Sequence, residues 1–468
     1  NYALTTPYFS FQRTYAANDY GLPDGTTRQN SAAGLTTGRF AYTARLGPID
    51  ALFSGDLTSS YVGDPNEIGF FSPTSQLRTY GNDERIQLQH PRARSLLSLS
   101  LGQSGQNFAY SCNTPVDQTC PNTPYTQPSP GAPTPPPYDQ FLYDQHNVLS
   151  VNDSVGDDKQ RLVYGVDALR GIARIDGGTG SLPAPTAYAY SQIAGYVQQQ
   201  WFAANGNELY AGLRGERDSV VDAAGGAALS PSLGGIVHFS APVELKLNAA
   251  TAFRAPTVDD LFYPGFSNPN LQPERTRVSD ATIEDSALFG GESLGWFSTA
   301  GSNFIVANAK FVPENIGHAS IQGLTLSAQT PGLRGIIASL AVTNLYRAQD
   351  LDTQTRIANR GPVFTTVLGL RYLPSPSSAF DGFGITATSE GPRGIVDDTK
   401  PIFDQPIAFT RVDAYLGWRI TPQLAAIVRG YNLGNERYSE WGTYTPSSVP
   451  FYTYPLPGRS FSIELRSR

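Results

Sequence analysis

A two-residue alternation of apolar and polar side chains recurs from one end of this chain to the other, and it constrains the fold more than any single motif. Val243, Leu245, Leu247, Ala249 and Phe253 share one face of their segment, and Glu244, Lys246, Asn248 and Arg254 share the other. Val412, Ala414, Leu416, Trp418 and Ile420 alternate in the same way with Arg411, Asp413, Tyr415 and Arg419. Near the end of the chain, Phe461, Ile463 and Leu465 alternate with Ser462, Glu464 and Arg466. Successive side chains of a strand point to opposite faces. Alternation sustained over about ten residues is the pattern of a membrane β-barrel strand, with one face to lipid and the other to a polar lumen. The pattern predicts strands throughout and no helix.

Composition agrees with a barrel. The chain has 468 residues, of which 40% are hydrophobic and only 16% charged, with 25 Tyr and 24 Phe. No segment approaches the roughly 18 consecutive apolar residues of a transmembrane helix. The mean hydropathy of -0.27 does not exclude the membrane, because barrel strands dilute their apolar residues with lumen-facing polar ones. A soluble sandwich, propeller or β-helix is the competing reading. The net charge of -7 and the lack of a basic run argue against a nucleic-acid partner.

Turn residues divide the chain into about 20 strand-like segments, read as one barrel domain over residues 1–468. Their connections alternate in length. Short links include Gly47-Pro48-Ile49, His90-Pro91-Arg92, Ser240-Ala241-Pro242, Gly290-Gly291 and Thr421-Pro422. Long ones run Asn18 to Ser31, Gly63 to Asp83, Asn113 to Tyr138, Asp176 to Pro185, Ala255 to Pro273, Glu390 to Lys400 and Tyr438 to Tyr452. Outer-membrane barrels sort their links in this way, with short periplasmic turns and longer extracellular loops. A sandwich has no reason to do so.

The longest of these loops holds the two cysteines, Cys112 and Cys120, and a proline-rich run from Pro128 to Pro137. In an oxidising compartment the two thiols are expected to form a local disulfide. The proline run reads as a stiff solvated strap. Asp64, Glu67, Asp153, Asp157 and Asp158 are oxygen donors of the kind that bind Ca²⁺, but their spacing fits solvated loop carboxylates better, so no metal site is assigned. No cofactor is expected. His90, His146, His238 and His318 form no constellation, and no nucleophile–base motif stands out, so the chain is not expected to be an enzyme.

Residues 253–276, Phe-Arg-Ala-Pro-Thr-Val-Asp-Asp-Leu-Phe-Tyr-Pro-Gly-Phe-Ser-Asn-Pro-Asn-Leu-Gln-Pro-Glu-Arg-Thr, closely resemble the "FRAPT…DL…GNPNLxPE" signature of TonB-dependent outer-membrane receptors, especially the cobalamin and siderophore types. Tyr431 to Tyr438 resemble the "NLFDKxY" segment of the penultimate strand. Pro457-Gly458-Arg459-Ser460-Phe461 is similar to the "PGR" opening of the last strand. Ala319 to Gly323 and Leu22 to Ser31 match two further family segments. The matches are collinear over nearly the whole chain. In the long motif, Pro256 and Pro264 fix φ and are expected to deny helix. Gly265 permits a reversal, and Asn268-Pro269-Asn270 is turn chemistry. The motif therefore reads first as a loop organiser.

The resemblance implies a 22-stranded barrel whose lumen is filled by an N-terminal plug, in the outer membrane of a Gram-negative bacterium. About 20 of those strands are legible here. The plug and the TonB-contact segment have no counterpart in the sequence, and the lack of an initiator Met reads as a processed or partial product. The function implied is TonB-dependent uptake of a scarce large nutrient, a cobalamin or a ferric siderophore. The alternative is a plugless barrel serving as a scaffold subunit of an outer-membrane assembly. Phe70, Phe71, Tyr138, Phe262, Tyr263, Phe266, Trp441 and Tyr444 are the candidate ligand-binding aromatics, weighed against an aromatic girdle at the headgroup level. Expected partners are outer-membrane lipid or lipopolysaccharide, the TonB complex if a plug lies upstream, and possible further outer-membrane or periplasmic subunits.

Overall fold

The alternating segments become strands because each can bury its backbone in ladders on both sides while its two faces meet different solvents. The computed structural model describes all residues except 1, 5–6, 17–19, 22–26, 29, 64–73, 113–137, 177–185, 221–225, 241, 264–266, 288–289, 309–311, 358–360, 376–377, 393–407, 437, 444–451 and 468. In chain order the strands are β1 (Tyr2–Leu4), β2 (Tyr8–Ala16), β3 (Tyr20–Gly21), β4 (Thr27–Arg28), β5 (Ala33–Leu46), β6 (Ile49–Gly63), β7 (Gln76–Pro91), β8 (Ser95–Cys112), β9 (Tyr138–Gly156), β10 (Gln160–Asp176), β11 (Thr186–Phe202) and β12 (Glu208–Asp218). They continue with β13 (Ala227–Ser240), β14 (Val243–Arg254), β15 (Glu274–Asp285), β16 (Glu292–Ala307), β17 (Pro313–Gln329), β18 (Ile336–Asp350), β19 (Phe364–Tyr372), β20 (Phe380–Glu390), β21 (Phe409–Thr421), β22 (Leu424–Tyr431), β23 (Ser439–Thr443), β24 (Tyr452–Pro455) and β25 (Ser460–Ser467).

Twenty-one of these segments form one antiparallel sheet in which sequence neighbours are spatial neighbours. β1 and β2 both lie along the same edge of β5, with Tyr2 opposite Leu46 and Tyr8 opposite Ala41, so together they make one interrupted stave and the wall has 20. Two short hairpins, β3–β4 and β23–β24, sit apart from the wall. Among the described residues, the first stave pairs only with β5 and β25 pairs only with β22. Phe9, Phe11, Ile463 and Leu465 on these two edges are among the most exposed apolar side chains of the structure.

The links sort by end as the sequence predicts. At one end they run over residues 47–48, 92–94, 157–159, 203–207, 241–242, 286–291, 330–335, 373–379 and 422–423. At the other they include 64–75, 113–137, 255–273, 391–408 and 432–459. One boundary shifts: β7 starts at Gln76, so residues 76–83, read from sequence as loop, belong to the wall and pair with β6 and β8. Their own alternation of Leu77 and Thr79 with Arg78 and Tyr80 supports the strand. Asp157 and Asp158 lie on the short-link end and Asp153 lies within β9; Asp64 and Glu67 are outside the described residues. Among the described residues, no group of three or more His, Cys, Asp or Glu side chains could hold a metal.

The two faces differ as lipid and lumen require. Leu247 and Leu416 point outward, 44% and 37% exposed. Trp201, Trp296 and Trp418 lie on the outer face toward the short links, and Trp296 donates to the Tyr346 hydroxyl at 2.9 Å. The inner face is a web of paired charges. Lys246 bridges Glu244 at 2.9 Å and Glu284 at 2.8 Å. Arg39 meets Asp56 at 2.7 Å, Arg419 meets Asp381 at 2.9 Å, and Arg429 meets Glu464 at 3.1 Å. Asn248 accepts from Tyr210 at 3.1 Å and donates to Asp280 at 2.9 Å. Cys112, at the end of β8, is buried and disulfide-bonded.

Leu247→Arg or Leu416→Arg is expected to destabilise the barrel by roughly 2–4 kcal/mol if the side chain sits at the bilayer midplane. Tyr415→Arg, the same change on the lumen face, carries no such depth-dependent cost. Urea unfolding in lipid vesicles measures both, and equal costs on the two faces would contradict the assignment of lipid and lumen. The native chain should show no alkylatable thiol until a reductant is added.

Candidate functional site

The loop over residues 255–273 folds into the mouth of the barrel. Pro256 does not exclude helix here, and Pro264 and Gly265 lie outside the described residues. Helix α1 (Val258–Phe262) starts two residues after Pro256, because Thr257 is a good N-cap. The Thr257 hydroxyl accepts from the Asp260 amide at 3.1 Å, and the Asp260 carboxylate accepts from the Thr257 amide at 3.0 Å. This reciprocal capping box satisfies two otherwise orphaned donors. Alternation could not reveal α1, since five residues are too few for a helical period. The capping pair Thr257 and Asp260 is the available signal.

The helix is held on two sides. Val258 packs into a buried cluster with Ala173 and Ile175 of β10. Phe262 stacks on Tyr188 of β11 with ring centroids 4.2 Å apart and planes within 6°. Leu261 and Leu271 form a second cluster with Ile305 of β16. The Asn268 side chain donates to the Pro313 carbonyl at 3.1 Å. Asn315 of β17 accepts from the Gln272 amide at 2.7 Å and donates to the Gln272 and Asn303 carbonyls at 2.9 and 2.8 Å. At the neck of the loop, Arg254 grips both oxygens of Glu274 at 2.9 and 2.7 Å, and Glu274 also accepts from the Ile305 amide at 2.7 Å.

Between α1 and the inner wall lies a cavity of about 440 Å³, lined by Asp144, Tyr190, Gln192, Glu216, Asp218 and the residues from Arg254 to Asp259, among others. Tyr190 donates to Asp144 at 2.5 Å. Its ring lies across Gly171, where a Cβ would collide with it. Gln192 donates to Asp218 at 3.5 Å. Glu216 is paired with Arg214, which also reaches Asp167 at 2.8 Å. The lining is rich in acceptors: four carboxylates face one guanidinium, Arg254, which is committed to Glu274 and Asp260. Burial raises the Asp259 carboxyl above its ordinary range, and the charges of Asp260 and then Asp144 add to the effect.

Of the candidate aromatics, the structure brings Phe262 and Tyr263 to this site. Phe262 is used for packing on Tyr188, and Tyr263 closes the helix through its amide, which donates to the Asp259 carbonyl at 3.1 Å. Phe70, Phe71, Phe266, Tyr444 and Cys120 lie outside the described residues, as do the side chains of Tyr138 and Trp441. Sequence reasoning misses Asp144, Tyr190, Gln192, Glu216 and Asp218 as lining residues. Their signal is parity: each falls on the polar face of its strand, near the long-loop end.

The model of the TonB dependent receptor-like β-barrel matches residues 5–433. The chain belongs to this family, and it is a barrel of the Gram-negative outer membrane. The vitamin B12 transporter BtuB of Photobacterium profundum is 29% identical over 102 residues, covering 19% of this chain and 16% of that protein. The vitamin B12 transporter BtuB of Vibrio vulnificus is 25% identical over 221 residues, 45% of this chain. That match spans a third of the transporter's length, 33%. Among solved structures, the copper transporter OprC superposes with a TM-score of 0.80 at 15% identity, over 99% of this chain and 76% of that one. A variant of the ferric enterobactin receptor PfeA of Pseudomonas aeruginosa gives 0.73 at 15%, over 100% and 76%. These superpositions establish the fold.

A carboxyl with a raised folded pKa holds its proton more readily when the loop is docked. Docking is therefore favoured below the ordinary carboxylate range and weakened as pH rises through the raised value. Protection of the 258–263 amides from hydrogen exchange should increase as pH falls from about 7 to about 4. Asp259→Asn should remove that dependence, and Thr257→Ala should lower protection by about 1 kcal/mol. An unchanged pH profile in Asp259→Asn would refute the linkage.

Proposed function

We propose that this chain is the barrel of a receptor that takes up a large, scarce nutrient, with a cobalamin-type corrinoid as the substrate the site fits best and a ferric siderophore as the next. Family membership supports uptake in general. The observation that carries the choice of substrate is the acceptor-rich cavity beneath α1. Its carboxylates suit a ligand that offers amide N–H donors, as a corrinoid does around its rim. They oppose a polyanionic ferric catecholate, which would call for unpaired guanidinium or ammonium groups. The partial sequence likeness to two vitamin B12 transporters points the same way.

In this reading α1 and its loop form a fixed inner wall of the binding mouth. Tyr138, Trp441 and Tyr444, aromatics of the other long loops, are the further candidate contacts in this reading. Inward passage is coupled to TonB through a plug. The scaffold alternative draws no support from these likenesses, and the receptor reading needs no catalytic group.

The test is ligand binding by the full-length protein in outer-membrane vesicles. Cyanocobalamin should bind saturably, and Asp218→Asn with Glu216→Gln should weaken it by about tenfold. Loss of TonB should abolish accumulation while leaving surface binding intact. Saturable binding of a ferric siderophore with none of cyanocobalamin would overturn the corrinoid reading, and binding of neither would overturn the receptor reading.

A further inference from the structure

On the outer face of β12 to β15 the charged side chains are sorted by sign and by depth. Arg217 of β12 shares the outward parity of Leu213 and lies opposite Ala227 of β13. On β15, Arg275 lies opposite Phe253 and Arg277 opposite Thr251, in step with Ala281 opposite Leu247. Among the described residues, the one outward carboxylate of these four strands is Asp285, at the short-link end of β15. The lumen face sets acids against bases at close range. This part of the outer face presents bases alone, in a chain whose net charge is -7.

Depth gives the cluster its meaning. Arg217 stands nine residues from Glu208, where β12 leaves its short link, and Arg275 stands ten from Asp285, where β15 enters one. Ten residues of a strand tilted by about 40° climb about 25 Å, the height of the apolar band of such a barrel. Arg217 and Arg275 therefore sit at the headgroup level of the leaflet on the long-loop side. Arg277 lies one row below Arg275. Further toward the short links the same face turns apolar, with Leu213, Leu233 and Leu247 exposed.

Two of the guanidinium groups are drawn together and the third is uncommitted. The Arg275 guanidinium sits over the Phe253 ring, 5.4 Å from its centroid, and its Nη2 donates to the Ala227 carbonyl at 3.1 Å. That reach carries it across β14 to the residue paired with Arg217. Arg277 is exposed and has no hydrogen-bond or ion-pair partner among the described residues. Like charges gathered at this boundary repel one another unless an anion lies among them. A guanidinium presents its donors as a fork that matches two oxygens of a phosphate.

We infer that Arg217, Arg275 and Arg277 bind the phosphates of lipid A, the phosphorylated glucosamine anchor of lipopolysaccharide, with its acyl chains laid over Leu213, Leu233 and Leu247. Charge and leaflet select this occupant. The long-loop side faces the cell exterior, and the phosphate-bearing lipid of that leaflet in a Gram-negative outer membrane is lipopolysaccharide. A glycerolipid holds its phosphates on one small alcohol. Lipid A carries one at each end of a disaccharide, which suits an array spread over β12 to β15. The site rests on the orientation of the barrel in the membrane and is independent of the nutrient the barrel carries.

The experiment measures lipid binding by the purified full-length protein, delipidated in a neutral detergent. A chelator is present so that no divalent cation bridges phosphate to a carboxylate, and folding of every variant is checked by heat-shifted mobility on gels. Diphosphoryl lipid A should bind at one site per barrel and more weakly as salt is raised. Cardiolipin, whose two phosphates share one glycerol, should bind about tenfold more weakly or worse. Arg277→Gln should weaken lipid A binding about tenfold, and Arg277→Lys by less. Arg217→Gln should act like Arg277→Gln, which keeps the test decisive if one of the two fails to fold. Arg78→Gln, an exposed arginine of β7 outside the site, should leave binding unchanged. The inference is overturned by equal affinity for the two lipids, by Arg277→Gln and Arg217→Gln variants that bind lipid A as the native chain does, or by an equal loss in Arg78→Gln.

Discussion

Inside hydrocarbon every backbone amide and carbonyl must find a partner in the protein, and that requirement shapes the rest of this molecule. A strand meets it only by pairing along both edges. The long ladders do so, for example β9 with β8 from Tyr138 to Val155 and with β10 from Phe141 to Gly156. Once both edges are engaged, each strand has only its two faces left for everything else. The period-two sequence is the trace of that division. Apolar side chains take the outer face, and on the inner face charges appear in compensating sets such as Glu244, Lys246 and Glu284. A set of this kind contributes little net stability in water-filled surroundings, but it keeps the lumen wall polar while neutralising the charges within the set.

The functional features arise where this scheme is interrupted. The 255–273 loop leaves the wall at Arg254 and returns at Glu274, and the ion pair between those residues closes the neck. What lies inside the neck is free of the strand period. It folds by other rules: a capping box, an aromatic stack and a set of Asn side chains that replace missing backbone partners. The cavity beneath it exists because a helix of five residues leans on the wall at Val258 and Phe262 and leaves the polar side chains between them uncovered.

Much of this is legible in the sequence. Strand identity, antiparallel order and the sorting of links by end follow from alternation and turn residues. Leu247, Asn248, Leu416 and Tyr415 fall on the faces their parity assigns. The site is less legible. Phe262 is readable as part of a motif, but its partner Tyr188 lies far earlier in the chain, and only the register of β10 and β11 brings the two together. The same holds for Asp144 and Asp259, which share a cavity but no sequence pattern. Helix α1 escapes a sequence reading because its flanking prolines look like barriers, when a proline just ahead of an N-cap is compatible with the turn that follows.

The anchors of the 255–273 loop fall on two separate parts of the wall. One is at β10 and β11, through Ala173, Ile175 and Tyr188; the other is at β16 and β17, through Ile305 and Asn315. A broad curved sheet has a nearly fixed perimeter, since its ladders do not stretch, but its cross-section can flatten at little cost. A segment tied at two points of such a wall acts as a tie-rod, and it resists flattening of the mouth along the line that joins its anchors.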